Sequence, residues 1–367
     1  MQSSLLPGQE SDIAYATIVR DMITGTDAQT RPMALEIRGL AIDPPLLLAP
    51  MAGLTHSALR RIMTGFGGVG LLSTEMLSAK RLPTESPRVS PYLIRSEAET
   101  PLSYQLLTAD YLEIGRAMDK LHACRADAVD LNMGCPSTAV GKFGAGVMLM
   151  EKPDEARRIA AEARRCTDLP LSAKIRLGSD PDSRQLKAFC SMLEGEGIDM
   201  LTVHARFRHE PFARNPRWEY IAEIKEGIRI PVIANGGIFS SEDAKRCLRV
   251  SGADGLMLGR GAIIRPWLFA EISRSVYSKD IPVPSVSLLD MYAAFIEALA
   301  DYRPIYRLGR LKAFTHYFAR NYKFGHTLAC KVQSSSSMEE ARERAWTFFA
   351  NMSDEGNSHI GAPLQSL

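Results

Sequence analysis

No CxxC pair occurs among the six cysteines at 124, 135, 166, 190, 247 and 330, and no Cys/His cluster has zinc-ligand spacing. In a chain of 367 residues this argues against a disulfide framework and a metal site, and for reduced thiols in a cytoplasmic protein. No apolar run reaches the ~18 residues a membrane span needs. Residues 1–32 lack the apolar core of a signal peptide, and Glu10, Asp12, Asp21 and Asp27 argue against a transit peptide. Net charge is nearly absent too: +2 with 23% charged residues, so any charged partner must be read from local patches. Finally, no GxGxxG follows the first apolar run, which speaks against a doubly wound dinucleotide fold.

What is present is a regular alternation. Eight short apolar runs recur: LLLAPMAG (46–53), GLLSTEM (70–76), PLSYQLL (101–107), AVDLNMG (128–134), LSAKIRLG (171–178), MLTVHAR (200–206), PVIANGG (231–237) and GLMLGRG (255–261). Their continuous apolarity suits parallel strands covered on both faces. Amphipathic stretches lie between them. DYLEIGRAMDKLHAC opens on an Asp cap and turns Leu112, Ala117 and Leu121 to one side; KPDEARRIAAEARRC has Pro153 at its start; SSEDAKRCLRVSG runs from a Ser cap to a glycine. The second interval, with three prolines in LSAKRLPTESPRVSPYL, reads as a long loop. The fold class expected is α/β: a TIM (β/α)8 barrel followed by a small all-α domain. The boundaries expected are an N-terminal extension, partly disordered (1–38), the barrel (39–283), a helical domain (284–354) and a tail (355–367).

Barrel chemistry gathers at the carboxyl ends of the strands. The glycine loops Asn235-Gly236-Gly237 and Gly259-Arg260-Gly261 offer bare backbone N–H groups at helix starts, and Arg260 adds a charged fork, so a phosphate is expected there. Lys174 lies in an apolar strand, two residues from Arg176 and so on the same face. It points at a ligand, or else pairs internally with Glu75 or Asp130; the polar Gln105 at barrel depth favours the ligand. A cation there suits the reduced, anionic form of an electron-rich ring. Cys135 follows a strand end in a Gly-Cys-Pro turn, after Asn132, where it would be exposed rather than packed. Its open roles are nucleophile and proton donor; a thiol with the ordinary value of about 8.5 is mostly protonated near neutrality, which suits the donor.

These segments resemble the tRNA-dihydrouridine synthase family over roughly residues 45–345: APMAGLTHSALRRI, DLNMGCPSTAVGKFGAGVML, AKIRLG, TVHAR, NGGI and LGRGA, in that order. The resemblance implies bound FMN, NADPH as reductant, tRNA as partner and a C-terminal RNA-binding domain. By matching position it implies that Pro50, Met51, Ala52, Gln105, Lys174 and His204 line the flavin, and that Asn235, Gly236, Gly237, Gly259 and Arg260 hold its phosphate. Cys135 matches the catalytic acid, and Asn132 and Arg176 match positions facing the uracil. Here His204-Ala205-Arg206-Phe207 replaces the family's frequent His-Gly-Arg-Thr, and the loop FRHEPFARNPRW that follows is expected to border the substrate, with Arg206 at its root.

Residues 303–331 contain no Asp or Glu and interleave basic with aromatic residues. Arg303, Arg307 and Arg310, at i, i+4 and i+7, are expected to share one helix face and, with Lys312, to meet RNA phosphates. A monomer is expected, with no metal and no membrane. Alternatives are an FMN barrel acting on a free small molecule, similar to dihydroorotate dehydrogenase, the same chemistry on ribosomal RNA, and a non-catalytic RNA-binding protein.

Overall fold

The structure, a computed structural model, describes residues 32–86 and 88–354. The expected extension up to residue 31 and the tail 355–367 lie outside the described residues. Two short strands, β1 (Leu35–Ile37) and β2 (Leu40–Ile42), pair antiparallel; they precede β3 (Leu46–Leu48), the first barrel strand. The chain then runs α1 (Ser57–Phe66), β4 (Leu72–Ser78), β5 (Leu102–Leu107), α2 (Ile114–Ala123), β6 (Ala128–Met133), α3 (Pro153–Cys166), β7 (Leu171–Ile175) and α4 (Ser183–Gly195). After these come β8 (Met200–His204), α5 (Glu219–Lys225), β9 (Val232–Asn235), α6 (Ser241–Ser251), β10 (Gly255–Leu258) and α7 (Leu268–Tyr277).

The sheet order β3-β10-β9-β8-β7-β6-β5-β4 is parallel throughout, and the Leu47–Leu71 bridge joins its two ends. This is the expected eight-stranded barrel, one strand for each apolar run. The interval between β4 and β5 is the expected loop, with a single 3-10 turn at Leu82–Thr84. The start of α2 differs in detail: Asp110 caps a 3-10 turn and leaves Leu112 70% exposed, while Ala117 and Leu121 are buried as expected. The β1–β2 hairpin, whose first strand lies inside the segment expected as an extension, is packed rather than loose. Leu35, Ile37 and Ile42 join Leu47, Leu71, Met200, Ile233 and Met257 in one buried cluster, so the hairpin packs against residues of β3, β8, β9 and β10.

Four helices follow: α8 (Leu288–Ala298), α9 (Pro304–Phe318), α10 (Gly325–Gln333) and α11 (Met338–Asp354). Tyr292, Phe295, Phe314 and Phe318 stack at their centre, with Phe295 and Phe314 centroids 4.0 Å apart. These helices pack on the barrel as part of one unit that begins at Met33. Arg61 of α1 donates to Asp301 at 2.6 Å, and Arg310 of α9 reaches Glu75 of β4 at 3.3 Å. Glu75 is available because β4 bulges: two residues, Thr74 and Glu75, oppose one on β5.

Candidate active site

Strand register brings the expected polar residues to one end of the barrel. Gln105 pairs with Asp130, Asn132 with Lys174, and His204 with Asn235. Their side chains form a linked floor. Ser172 donates to Asp130 Oδ1 at 2.6 Å, and Gln105 Nε2 donates to Asp130 Oδ2 at 2.7 Å. Asn132 Nδ2 donates to Gln105 Oε1 at 2.8 Å, and Asn132 Oδ1 accepts from the Cys135 amide at 3.0 Å. On the other side Lys174 Nζ donates to Asn235 Oδ1 at 3.0 Å, and Asn235 Nδ2 to the Met257 carbonyl at 2.7 Å. Lys174 therefore makes neither of the internal ion pairs weighed for it, although Asp130 is near enough to favour its charge. Burial outweighs that help and lowers the Lys174 ammonium to about 8 from an ordinary 10.5.

The Cys135 loop is fastened at both ends. The Val147 amide donates back to the Cys135 carbonyl at 3.1 Å, and Arg176 Nε donates to the Gly134 carbonyl at 3.1 Å. Gly146 has φ +65°, and a Cβ there would lie 2.6 Å from the Cys135 carbonyl oxygen. Only glycine allows this closure. Cys135 itself is half-buried, at the mouth and not in the core.

Positive charge converges on the mouth. Lys174, Arg176, Arg206 and Arg260 all bear on His204, and burial together with these cations holds its imidazole well below the usual range, hence neutral. Arg206 is lowered to about 10, first by burial and then by Arg260 and Arg176. Asp130 and Glu210 are the carboxylates that oppose this cluster. The loop after β8 folds over it. Phe212 stacks on His204 with centroids 5.7 Å apart, and the guanidinium of Arg260 lies 4.9 Å from the Phe212 centroid. Arg206 clamps this loop by donating to the carbonyls of Phe212 and Arg214. Arg206 and Arg176 are both buried with their forks on backbone oxygens, which makes them holders of the mouth as much as ligand contacts.

The glycine loops lie beside this cluster. Gly236 and Gly237 have φ of +110° and +74°, and a Cβ would lie 2.8 Å from His204 Cδ2 and 2.6 Å from Pro216 Cγ respectively. Ser240 caps α6 through the Asp243 amide. A cleft of about 1350 Å³ opens here, lined by Arg206, Phe212, Gly237, Ser240, Arg260 and, from the helical region, Arg320. Pro50, Met51 and Ala52 follow β3 at the same end of the parallel barrel, where Gly259 stands beside Met51. The Gly53 amide donates to Glu75 Oε1 at 2.5 Å.

The basic helical surface differs from its expectation. Arg303, Arg307 and Arg310 do not share an exposed face. Arg310 is 8% exposed, pairs with Glu75 and lies 4.7 Å from the Tyr302 ring centroid. Arg307 turns back to the carbonyls of Tyr302 and Ala300. Arg303 is exposed and Lys312 half-buried; Arg320 and Lys323 are the further exposed cations of the stretch. The sequence analysis weighed Asp130 and Glu75 only as ion partners for Lys174, not as the hydrogen-bonding centres they are here. A carboxylate inside an apolar strand was the available signal for the first.

Among the described residues no group of His, Cys, Asp or Glu could hold a metal ion, and no helix is long and apolar enough to cross a membrane. A family model described as "Dihydrouridine synthase (Dus)" matches residues 47–345. The chain is 34% identical over 276 residues to a "Probable tRNA-dihydrouridine synthase" of Rhodobacter capsulatus, covering 74% of this chain and 84% of that one. It is also 34% identical over 289 residues to the "tRNA-dihydrouridine(16) synthase" of Pseudomonas putida, covering 76% and 88%. Among solved structures, histamine dehydrogenase from Rhizobium sp. 4-9 superposes with a TM-score of 0.52 at 13% identity, covering 72% of this chain and 50% of that chain, a likeness of fold alone.

Proposed function

The chain belongs to the dihydrouridine synthase family, and from that premise we propose that it is an FMN-dependent tRNA-dihydrouridine synthase that uses NADPH as its source of hydride. The residues present fit such a coenzyme. Gly236 and Gly237 form a turn packed so closely on His204 and Pro216 that only glycine fits, and the surrounding cations ask for an anion. Asn235, Gly236, Gly237, Gly259 and Arg260 would hold the phosphate; Pro50, Met51, Ala52, Gln105, Lys174 and His204 would line the ring. When bound, the flavin supplies hydride to C6 of a uracil.

The chain's own residues do the rest. The Cys135 thiol gives a proton to C5, so that one hydride and one proton saturate the double bond. Asn132 orients the Cys135 turn and, with Arg176, borders the uracil. The neutral His204 donates or accepts a hydrogen bond without adding charge. The target uridine must leave the folded RNA to enter the mouth, at a cost of a few kcal/mol in stacking and pairing. The exposed cations Arg303, Arg320 and Lys323, with the half-buried Lys312, engage phosphates and offset that cost.

The observation that carries this reading is a half-buried thiol on a tethered turn within reach of Lys174 and Arg176, at the same barrel end as the glycine loops. Purified protein should be yellow, and Cys135→Ala should keep the colour while failing to reoxidise on tRNA. A colourless protein that takes up no FMN, or wild-type turnover in Cys135→Ala, would overturn it. Since one relative is named for position 16, tRNA from cells with and without this gene should first be mapped at that position.

A further inference from the structure

Two amide side chains, Gln105 and Asn132, connect a buried carboxylate to the Cys135 turn, and their polarity is not arbitrary. The two ends of a carboxamide have nearly the same shape, but one accepts and the other donates. The Gln105–Asn132 pair could therefore run in either direction, with one hydrogen bond between the two amides in each case. Asp130 breaks the tie. Both its oxygens accept, one from Ser172 and one from Gln105 Nε2, so it acts as an acceptor alone. Gln105 must then turn its oxygen to Asn132, and Asn132 must turn its own oxygen to the Gly134 and Cys135 amides at 3.3 and 3.0 Å. In the reverse direction Gln105 Oε1 would face the carboxylate and Asn132 Nδ2 would face two N–H donors. Asp130, Gln105 and Asn132 are 5%, 1% and 8% exposed, so water cannot substitute for a lost partner.

We propose that Asp130 is a positioning residue for Cys135: it fixes the direction of the Gln105 and Asn132 amides and so holds the thiol-bearing turn in its productive orientation. The proposal rests on the reading of Cys135 as the proton donor. Its test is chosen to survive that reading's failure.

The test compares Asp130→Asn with Ser172→Ala in the flavin-loaded full chain. Asp130→Asn keeps the shape but lets the relay run both ways. Ser172→Ala disturbs the same carboxylate but leaves it an acceptor. Iodoacetamide alkylation of Cys135, followed peptide by peptide across pH, gives a midpoint and a plateau. A change of charge beside Lys174 moves only the midpoint; loss of orientation moves the plateau. In Asp130→Asn the plateau should change by about threefold or more, and kcat on tRNA should fall by about tenfold with KM within about twofold. Ser172→Ala should keep the wild-type plateau. An unchanged plateau in Asp130→Asn, or equal changes in both variants, overturns the proposal. Should Asp130→Asn fail to fold, Gln105→Met cuts the relay one link further on, and the same change in plateau is required of it. If the protein reduces no RNA at all, the alkylation arm still decides.

Discussion

Lys174→Met separates the cost of burying a cation from the use made of it. In the folded protein the Lys174 ammonium is lowered to about 8 from an ordinary 10.5, first by burial and against the pull of Asp130. A fall of that size corresponds to ~3 kcal/mol that folding forgoes while the group is charged. The folded value lies below the unfolded one, so the unfolded chain binds the extra proton between the two. Stability therefore rises as pH climbs from about 8 toward 10.5, and the full cost is borne below about 8. Two corrections shrink the recoverable part. Lys174 is partly exposed at the mouth, and Asn235 Oδ1 loses its donor, worth ~1 kcal/mol. The coenzyme-free Lys174→Met protein should thus be more stable than wild type by ~1–2 kcal/mol at about pH 7, with the gain vanishing by about pH 10. Urea unfolding at the two pH values measures it. The same variant should bind FMN more weakly and reduce tRNA poorly, giving stability and activity opposite signs. A variant less stable than wild type at neutral pH, or a difference that does not change with pH, would refute the reasoning.

Arg310→Met should destabilise the fold by ~2–4 kcal/mol, because it strands a buried carboxylate. Burial raises Glu75 and Arg310 holds it down, so without Arg310 it rises further. A raised carboxyl favours the folded state at low pH, so the loss should be largest at about pH 8 and smaller at about pH 5 in urea melts; a pH-independent loss would count against the pair. Gly146→Ala forces a Cβ against the Cys135 carbonyl at φ +65°, and should cost ~1–3 kcal/mol of stability and lower turnover more than flavin content, read by absorbance and single-turnover kinetics. Arg320→Ala and Lys323→Ala should each reduce the slope of log affinity against log salt for tRNA by ~0.7–0.9, whereas replacing buried Arg310 should leave that slope in place.

The barrel was legible because parallel strands covered on both faces must be apolar throughout, and each of the eight runs became a strand. The glycine loops and the Gly-Cys-Pro turn were legible because their backbone demands few alternatives. The β1–β2 hairpin was not: three-residue strands carry no periodicity. Arg310 was misread for a physical reason. Spacing of i, i+4 and i+7 says that residues share a face but not which face is outward. Arg303 precedes the helix as its cap, and the side of α9 that carries Arg310 also carries Leu311, Phe314 and Phe318 into the core. Asp130 had been weighed only as an ion partner for Lys174; its bonds to Ser172 and Gln105 depend on strand register, which one sequence does not state.

The bond path from Arg310 through Glu75 to the Gly53 amide ties the junction between barrel and helices to the loop after β3 that carries Met51 and Ala52. Trimming the chain before residue 285 to ask whether the barrel works alone would take that prop away, and a dead fragment would say nothing about RNA. Grafting the helical region of a relative to change which uridine is chosen meets the same constraint: the graft must bring its own cation to Glu75, or substrate choice and coenzyme seating will fail together.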